Sequence, residues 1–250
     1  MLGKAEFRKQ MADCLDSRLT LNHPLLAELA KPIKNLPLIR KVALQGYQLT
    51  KAFTGYIGLL YYNCPLPEFR KRLAVNLYEE ETGRLSKTVN HMDLMHRFIF
   101  ALGITQEELD AEQPVFETTD LIQYRQGLCE DPASLHMGAA AVMIASEGQN
   151  LEKKAGKSRD QILPALYGLT PKDLEFFSVH AVEDVYHVGD GLDLVSEICT
   201  SEPMQREAMT VINETCDRFW RFYDGIQHAY ETETNHCLGE ALQETAPVQA

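Results

Sequence analysis

The 250-residue sequence has no CxxC pair, no HExxH, and no apolar run of membrane-spanning length. Basic residues are in deficit, with 24 Lys and Arg against 36 Asp and Glu and a formal net charge of −12. Such a surface repels phosphate backbones and anionic lipid, so neither nucleic acid nor a membrane is expected as a partner. The least polar stretch, Met137 to Ala145, falls far short of the roughly 20 residues a bilayer requires. The start, MLGKAEFRKQMADCLDSR, carries charge in every turn instead of an apolar core, so a secretory signal is not expected. Its six cysteines (Cys14, Cys64, Cys129, Cys199, Cys216 and Cys237) are scattered. They read as reduced thiols of a cytoplasmic protein, with Cys129 and Cys216 as alternative catalytic thiols that no local motif supports. Repeats, low-complexity tracts and long alternating apolar/polar runs are also missing, which removes the signals for solenoids and sheets.

What is present is helical periodicity. With 45% apolar and 24% charged residues, the composition is that of a globular protein able to bury one substantial core. The pattern predicts an all-α chain with helices over 4–17, 22–31, 36–62, 66–84, 91–102, 118–129, 134–155, 171–198 and 203–232. Turn chemistry supports the breaks: Asn63 to Pro67 separates two helices, and Gly103 followed by Thr105, Glu107 and Glu108 reads as a C-cap and a new N-cap. Thr170 with Pro171 reads as another start, and Ser201 to Pro203 as the last break. The expected organisation is one helical domain over 1–237 and a flexible tail over 238–250, since the end lacks an apolar stripe.

Long helices with short connections suggest a bundle, whose interior is a common place for metals held by Glu, Asp and His. The segment FFSVHAVEDVYHVGDG supplies His180, Asp184 and His187. At about 100° per residue the second and third lie about 40° and −20° from the first, on one face flanked by Phe176, Phe177, Val179 and Val188. A solvated polar face is the alternative. Glu147 ends GAAAVMIASE, where the small residues from Gly138 to Ala141 allow a close helix neighbour, so its carboxylate is expected to be poorly solvated unless it sits at a wet helix rim. Glu80 and His91 form a third pair. On an unbroken helix eleven residues turn about 20° beyond three full turns, stacking the two, while Glu79 and Glu81 fall off that face. Gly83 and the polar run to Asn90 interrupt this helix in the alternative, leaving a loop to fold His91 back. His96 is the competing imidazole, displaced from His91 by about 140°.

Three imidazoles and three carboxylates suit two borderline ions, with Fe²⁺ favoured over Mn²⁺ and both over a single tetrahedral Zn²⁺. Two ferrous ions would leave one residual positive charge for a substrate, hydroxide or reduced oxygen. Crowded without metal, the three acids would repel one another and their pKa values would rise.

Four segments resemble the haem-oxygenase-like di-iron oxidases and oxygenases, related in fold to the TenA thiaminases, PqqC and the chlamydial protein associating with death domains (CADD). They are NHPLL at Asn22 to Leu26, Glu79 to Thr105, ASEGQ around Glu147, and HAVEDVYH from His180 to His187. The resemblance implies a helical bundle, often a homodimer. Its six iron ligands correspond to Glu80, His91, Glu147, His180, Asp184 and His187. It also implies O₂ as co-substrate and oxidation, cleavage or oxygenation of a small metabolite of the amino-acid, amine or fatty-acid class, with Glu183 and Tyr186 as supporting neighbours. Two departures stand out. An insertion around Leu85 to Thr88 lengthens the first pair's spacing and leaves Glu80 or Glu81 open as the first ligand. Relatives that make p-aminobenzoate from their own tyrosine carry HPFY where this chain has His23, Pro24, Leu25 and Leu26, although Lys157 falls where that branch has a functional lysine. The p-aminobenzoate synthase activity is one alternative. Another is a metal-free TenA- or PqqC-like enzyme in which these residues do acid–base work.

Overall fold

The computed structural model of the chain describes residues 1–150, 163 and 166–244, and among these there are helices and no strands. The helices are α1 (Lys4–Asp16), α2 (Pro24–Leu29), α3 (Leu36–Asn63), α4 (Pro67–Thr82), α5 (His91–Ala101), α6 (Gln106–Ala111), α7 (Phe116–Glu130), α8 (Leu135–Ala139), α9 (Glu175–Ile198) and α10 (Glu202–Glu244). Side-chain caps open several of these helices. The Asn35 side chain caps α3, the Asn90 side chain caps α5, and Thr105 with Glu108 makes a reciprocal capping box that opens the short α6. His23 caps α2 through Nδ1, which accepts from Leu25 N–H at 3.1 Å.

Three elements differ from expectation. The helix expected over 134–155 is α for five residues, a π-helix over Ala140–Ser146 and a 3₁₀ turn over Glu147–Asn150; the stretch 151–155, like Lys157, lies outside the described residues. At Thr170 the hydroxyl accepts from Asp173 N–H and the Asp173 carboxylate accepts from Thr170 N–H, but the chain makes one turn before α9 begins at Glu175. The last helix continues into the stretch separated as a tail, to Glu244, and 245–250 lie outside the described residues.

Two apolar clusters hold the bundle. One gathers α1, the π-helix, the second half of α9 and the first half of α10; the other gathers α2, the start of α3, α5 and the middle of α10. The small residues act as expected: Ala139, Ala140 and Ala141 are fully buried, and α9 passes so close to the π-helix that a Cβ on Gly191 would meet the Met143 Cβ at 2.7 Å. The five cysteines whose side chains are described are free. Cys129 and Cys216 are buried, and burial pushes both thiols up to about 12, which removes the thiolate a nucleophile requires.

The loop between α4 and α5 positions the first pair. Gly83 caps α4 at φ +62°, and a Cβ there would lie 2.1 Å from the Val89 carbonyl oxygen. The Glu79 carboxylate then accepts from Leu85 N–H at 2.6 Å, from Ser86 N–H at 3.1 Å, and from the Ser86 hydroxyl. Gly103, at φ +74°, has open space around it. Replacing Gly103 with Ala therefore meets backbone strain alone, about 1 kcal/mol. Gly83→Ala adds a steric clash and should lower unfolding free energy by more than about 2 kcal/mol in urea titrations. Equal costs at the two positions would contradict the tight return of this loop.

Candidate metal centre

Four elements bring the six residues together. α4 carries Glu80, α5 begins at His91, the junction of the π-helix and 3₁₀ turn carries Glu147, and α9 carries His180, Asp184 and His187. Their donor atoms fall into two triads, Glu80 with His91 and His180, and Glu147 with Asp184 and His187, each within 4.8 Å. The unbroken-helix stacking of Glu80 and His91 does not occur. α4 ends at Thr82, and the loop folds His91 back until its Nδ1 lies 3.0 Å from Glu80 Oε2. Glu80 is buried beside His91, whereas Glu81 is exposed. His96 points elsewhere, its Nε2 3.3 Å from the Tyr47 hydroxyl.

Single turns of helix set the orientations. His180 Nδ1 donates to the Phe176 carbonyl at 2.7 Å, which fixes the tautomer and aims Nε2 at Glu80, 4.0 Å away. The ring of His180 stands at 60° to that of His91 with centroids 4.6 Å apart. His187 Nδ1 lies 2.7 Å from Glu147 Oε2 and 3.8 Å from Asp184 Oδ1. A π-helix gains its extra residue per turn by widening the backbone, and such segments often sit at functional sites. Ser146 closes it by donating to the Ala141 carbonyl at 2.7 Å.

Both nitrogens of His91, Nδ1 of His187 and Oε2 of Glu147 are buried and make no hydrogen bond, although oxygen and nitrogen approach within 2.7 to 3.0 Å. Buried polar atoms almost always have partners. Three of them, His91 Nδ1, His187 Nδ1 and Glu147 Oε2, point into the two triads and fit a metal ion in each, and nitrogen/oxygen sets of this kind suit iron or manganese.

Without metal the charges are unsettled. Burial pushes the Glu147 carboxyl up to about 7, with His187 partly offsetting it. Burial alone would lower His187, but Glu147 and Asp184 outweigh it and hold the imidazolium up to about 11. The pair therefore keeps at least one proton near neutrality. His91 follows the same rule: burial opposes its charge, yet Glu80, Glu183 and Glu79 raise its pKa. Burial dominates at His180 and lowers it.

Asn76, Glu79 and Arg125 were not among the site residues expected from the sequence. Asn76, one turn before Glu80 on the buried face of α4, donates to Glu147 Oε1 at 3.4 Å. Glu79 and Glu183 each place an oxygen 3.7 Å from His91 Nε2, favouring a proton there and leaving Nδ1 as the donor. Glu183 is thus the neighbour that was expected, whereas Tyr186 points to solvent at 72% exposure. Arg125 recurs at i+4 from Leu121 and i−4 from Cys129, a spacing that marks it as part of the apolar stripe of α7.

The site opens on a cavity of about 340 Å³ lined by Glu80, Glu147, His180 and Asp184 at one end and by apolar and aromatic side chains such as Leu26, Phe98 and Phe222 elsewhere. Residues 40–220 match the family described as iron-containing redox enzymes. The chain belongs to this family. It is 27% identical over 234 residues to the 4-aminobenzoate synthase of Nitrosomonas europaea, covering 90% of this chain and 92% of the relative. Against the 4-aminobenzoate synthase of Chlamydia trachomatis serovar D it is 28% identical, covering 76% and 79%. Solved structures confirm the fold. A TenA homologue from Pseudomonas syringae pv. tomato superposes with TM-score 0.72 at 17% identity, covering 89% of this chain and 93% of that one. A CADD-like protein of unknown function from Nostoc punctiforme gives 0.70 at 18% identity, covering 91% and 98%. No helix among the described residues is long and apolar enough to cross a membrane.

The electrostatics predict opposite pH trends for the two forms. A group whose folded pKa is raised stabilises fully below its unfolded value, and that contribution is lost as pH rises through the folded value. For His187 that window runs from about 6.5 to about 11 and for Glu147 from about 4.5 to about 7, and raised His91 acts in the same sense. The lowered pKa of His180 acts below pH 6.5. Between pH 6.5 and 9 the metal-free protein should therefore lose stability in denaturant titrations, with Glu147→Gln flattening the slope. Metal binding must displace these protons, so iron affinity should rise over the same range. A metal-free stability that increases with pH would contradict the protonated His187–Glu147 pair.

Proposed function

We propose that the chain is a dioxygen-dependent non-haem di-iron oxidase or oxygenase of a small organic metabolite. Glu80, His91 and His180 would hold one iron and Glu147, Asp184 and His187 the other. The observation that carries this reading is the pair of buried triads with orphaned donor atoms, placed at the end of an apolar cavity. When bound, the irons supply the electrons that reduce O₂ and the oxidising power that removes hydrogen from, cleaves or oxygenates the substrate.

The protein's own part is orientation and exclusion of water. Phe176 fixes the His180 tautomer through its carbonyl, the two carboxylates beyond His91 hold that ring's second proton, and Asn76 steadies Glu147. The aromatic wall keeps bulk water from the reacting end, which strengthens every charge interaction there. Three of the carboxylate and imidazole donors must give up or redirect protons when metal enters, so the resting protein is poised to exchange protons for metal. A homodimer and a cytoplasmic setting go with this reading, as does small-molecule substrate binding in the cavity.

A second reading is favoured by the two named relatives, which are 4-aminobenzoate synthases along most of this chain. Against it stands Leu26, which lines the cavity at the place where the resemblance puts a self-consumed tyrosine.

Anaerobic reconstitution with Fe²⁺ should give about two irons per chain by elemental analysis, and O₂ should then consume the ferrous signal. His180→Ala and Glu147→Ala should each bring the iron count to one or fewer. Wild-type loading below about one iron per chain would end the di-iron reading. Incubation of the iron-loaded protein with O₂ and a reductant should leave its intact mass unchanged and release no 4-aminobenzoate. Release approaching one molecule per chain, with a matching loss of mass, would establish the second reading instead.

A further inference from the structure

Arg125 lies inside the cavity wall at 2% exposure. Its guanidinium rests over the rings of Tyr56 and Phe219, 4.9 and 5.5 Å from their centroids. Nε donates to the Leu121 carbonyl at 3.2 Å, Nη1 donates to the Ser146 hydroxyl at 3.3 Å, and Nη2 has no hydrogen-bond partner among the described residues. Several other arginines are paired with carboxylates: Arg72 with Asp190, Arg97 with Glu175, Arg218 with Asp120. The ionisable groups that act most on Arg125 are Tyr56 and Cys129, not a carboxylate. A buried guanidinium without a counter-anion is costly, and its planar fork matches a carboxylate.

We infer that the cavity takes an organic monocarboxylate, its carboxylate held by Arg125 beside Ser146 and its apolar body, aliphatic or aromatic, along the wall formed by Leu26, Phe98, Phe177 and Phe222. Each rival class meets a specific obstacle. A phosphate or dicarboxylate would bring a second negative charge toward Glu80, Glu147 and Asp184 at the same end. An amine would set its cation against Arg125. A polar amino acid would need further free groups, but Gln149 is already committed to Thr20 and the Ala145 carbonyl. Because Arg125 bonds to the residue preceding Glu147, the carboxylate is anchored next to the second triad, which places carbons near the acid group closest to the reacting end. What happens to the ligand rests on the di-iron reading; its binding does not.

Calorimetric titration distinguishes the two. The wild-type protein, both metal-free and iron-loaded without oxygen, would be titrated with octanoate and 3-phenylpropanoate and with their neutral amides, while iron content is measured on the same samples. Each acid should bind at least about tenfold more tightly than its amide in both forms, a charge-assisted bond being about twice as strong as a neutral one. Arg125→Met, close in length and apolar, should erase this preference while amide binding stays within about twofold. Arg125→Lys, which keeps the charge but not the fork, should retain only part of it, and serves if the Met variant does not fold. Equal binding of acid and amide, binding of none of the four probes, or a preference that survives in both variants would overturn the proposal. Iron loading without acid preference would defeat this inference alone, and acid preference without iron loading would defeat the di-iron reading alone.

Discussion

Three carboxylates and three imidazoles are packed into the interior of this bundle closely enough that the state of each depends on the others. Burial removes the water that would screen them, so a proton or a metal ion must do so. At Glu147 and His187 the solution in the metal-free protein is a retained proton, the imidazolium held up to about 11 and the carboxyl raised to about 7. Two atoms of this pair approach to 2.7 Å yet lack hydrogen-bond geometry. A close approach without hydrogen-bond geometry fits a site that could hold a metal ion between the two atoms.

The surrounding fold serves that requirement by local departures from regular helix. The π-helix over Ala140–Ser146 shifts the direction in which Glu147 leaves its backbone, and Ser146 repairs the loosened ladder while also accepting from Arg125. The left-handed Gly83 and the Glu79 carboxylate together shape the loop that returns His91 to Glu80. Only α9 contributes by plain periodicity, and its close passage over Met143 is possible because residue 191 is glycine. Glu80, Glu147, His180 and Asp184 line the cavity, so four of the candidate metal ligands and the Arg125 side chain share one space. Negative groups at its end and the buried guanidinium of Arg125 in its wall give that space a polarity that the apolar lining cannot dilute.

Much of this was legible in the chain. The HxxxDxxH spacing placed His180, Asp184 and His187 on one face because α-helical periodicity is local and holds over a few turns. The small residues before Glu147 announced a tight helix contact, and the cap at Thr105 appears where its side chain predicts. The pairing of Glu80 with His91 was also legible, and of the two geometries the sequence left open, the loop that folds His91 back is the one found. Arg125 and Asn76 were missed although their spacing on apolar stripes was visible, since a polar residue in such a stripe is a weak signal until its neighbours are known.

The sequence by itself determined the helical class, the rotational alignment within each helix, and the residue types able to hold metal, all of which follow from interactions a few positions apart. Only the tertiary structure decided that His180 joins Glu80 and His91 while Asp184 and His187 join Glu147, that Glu80 and not Glu81 faces inward, and that among the described residues Arg125 has no anion beside it. These are properties of groups distant in the chain, from residues 80, 125, 147 and 187, and their energies depend on how much water the packing of four separate elements excludes.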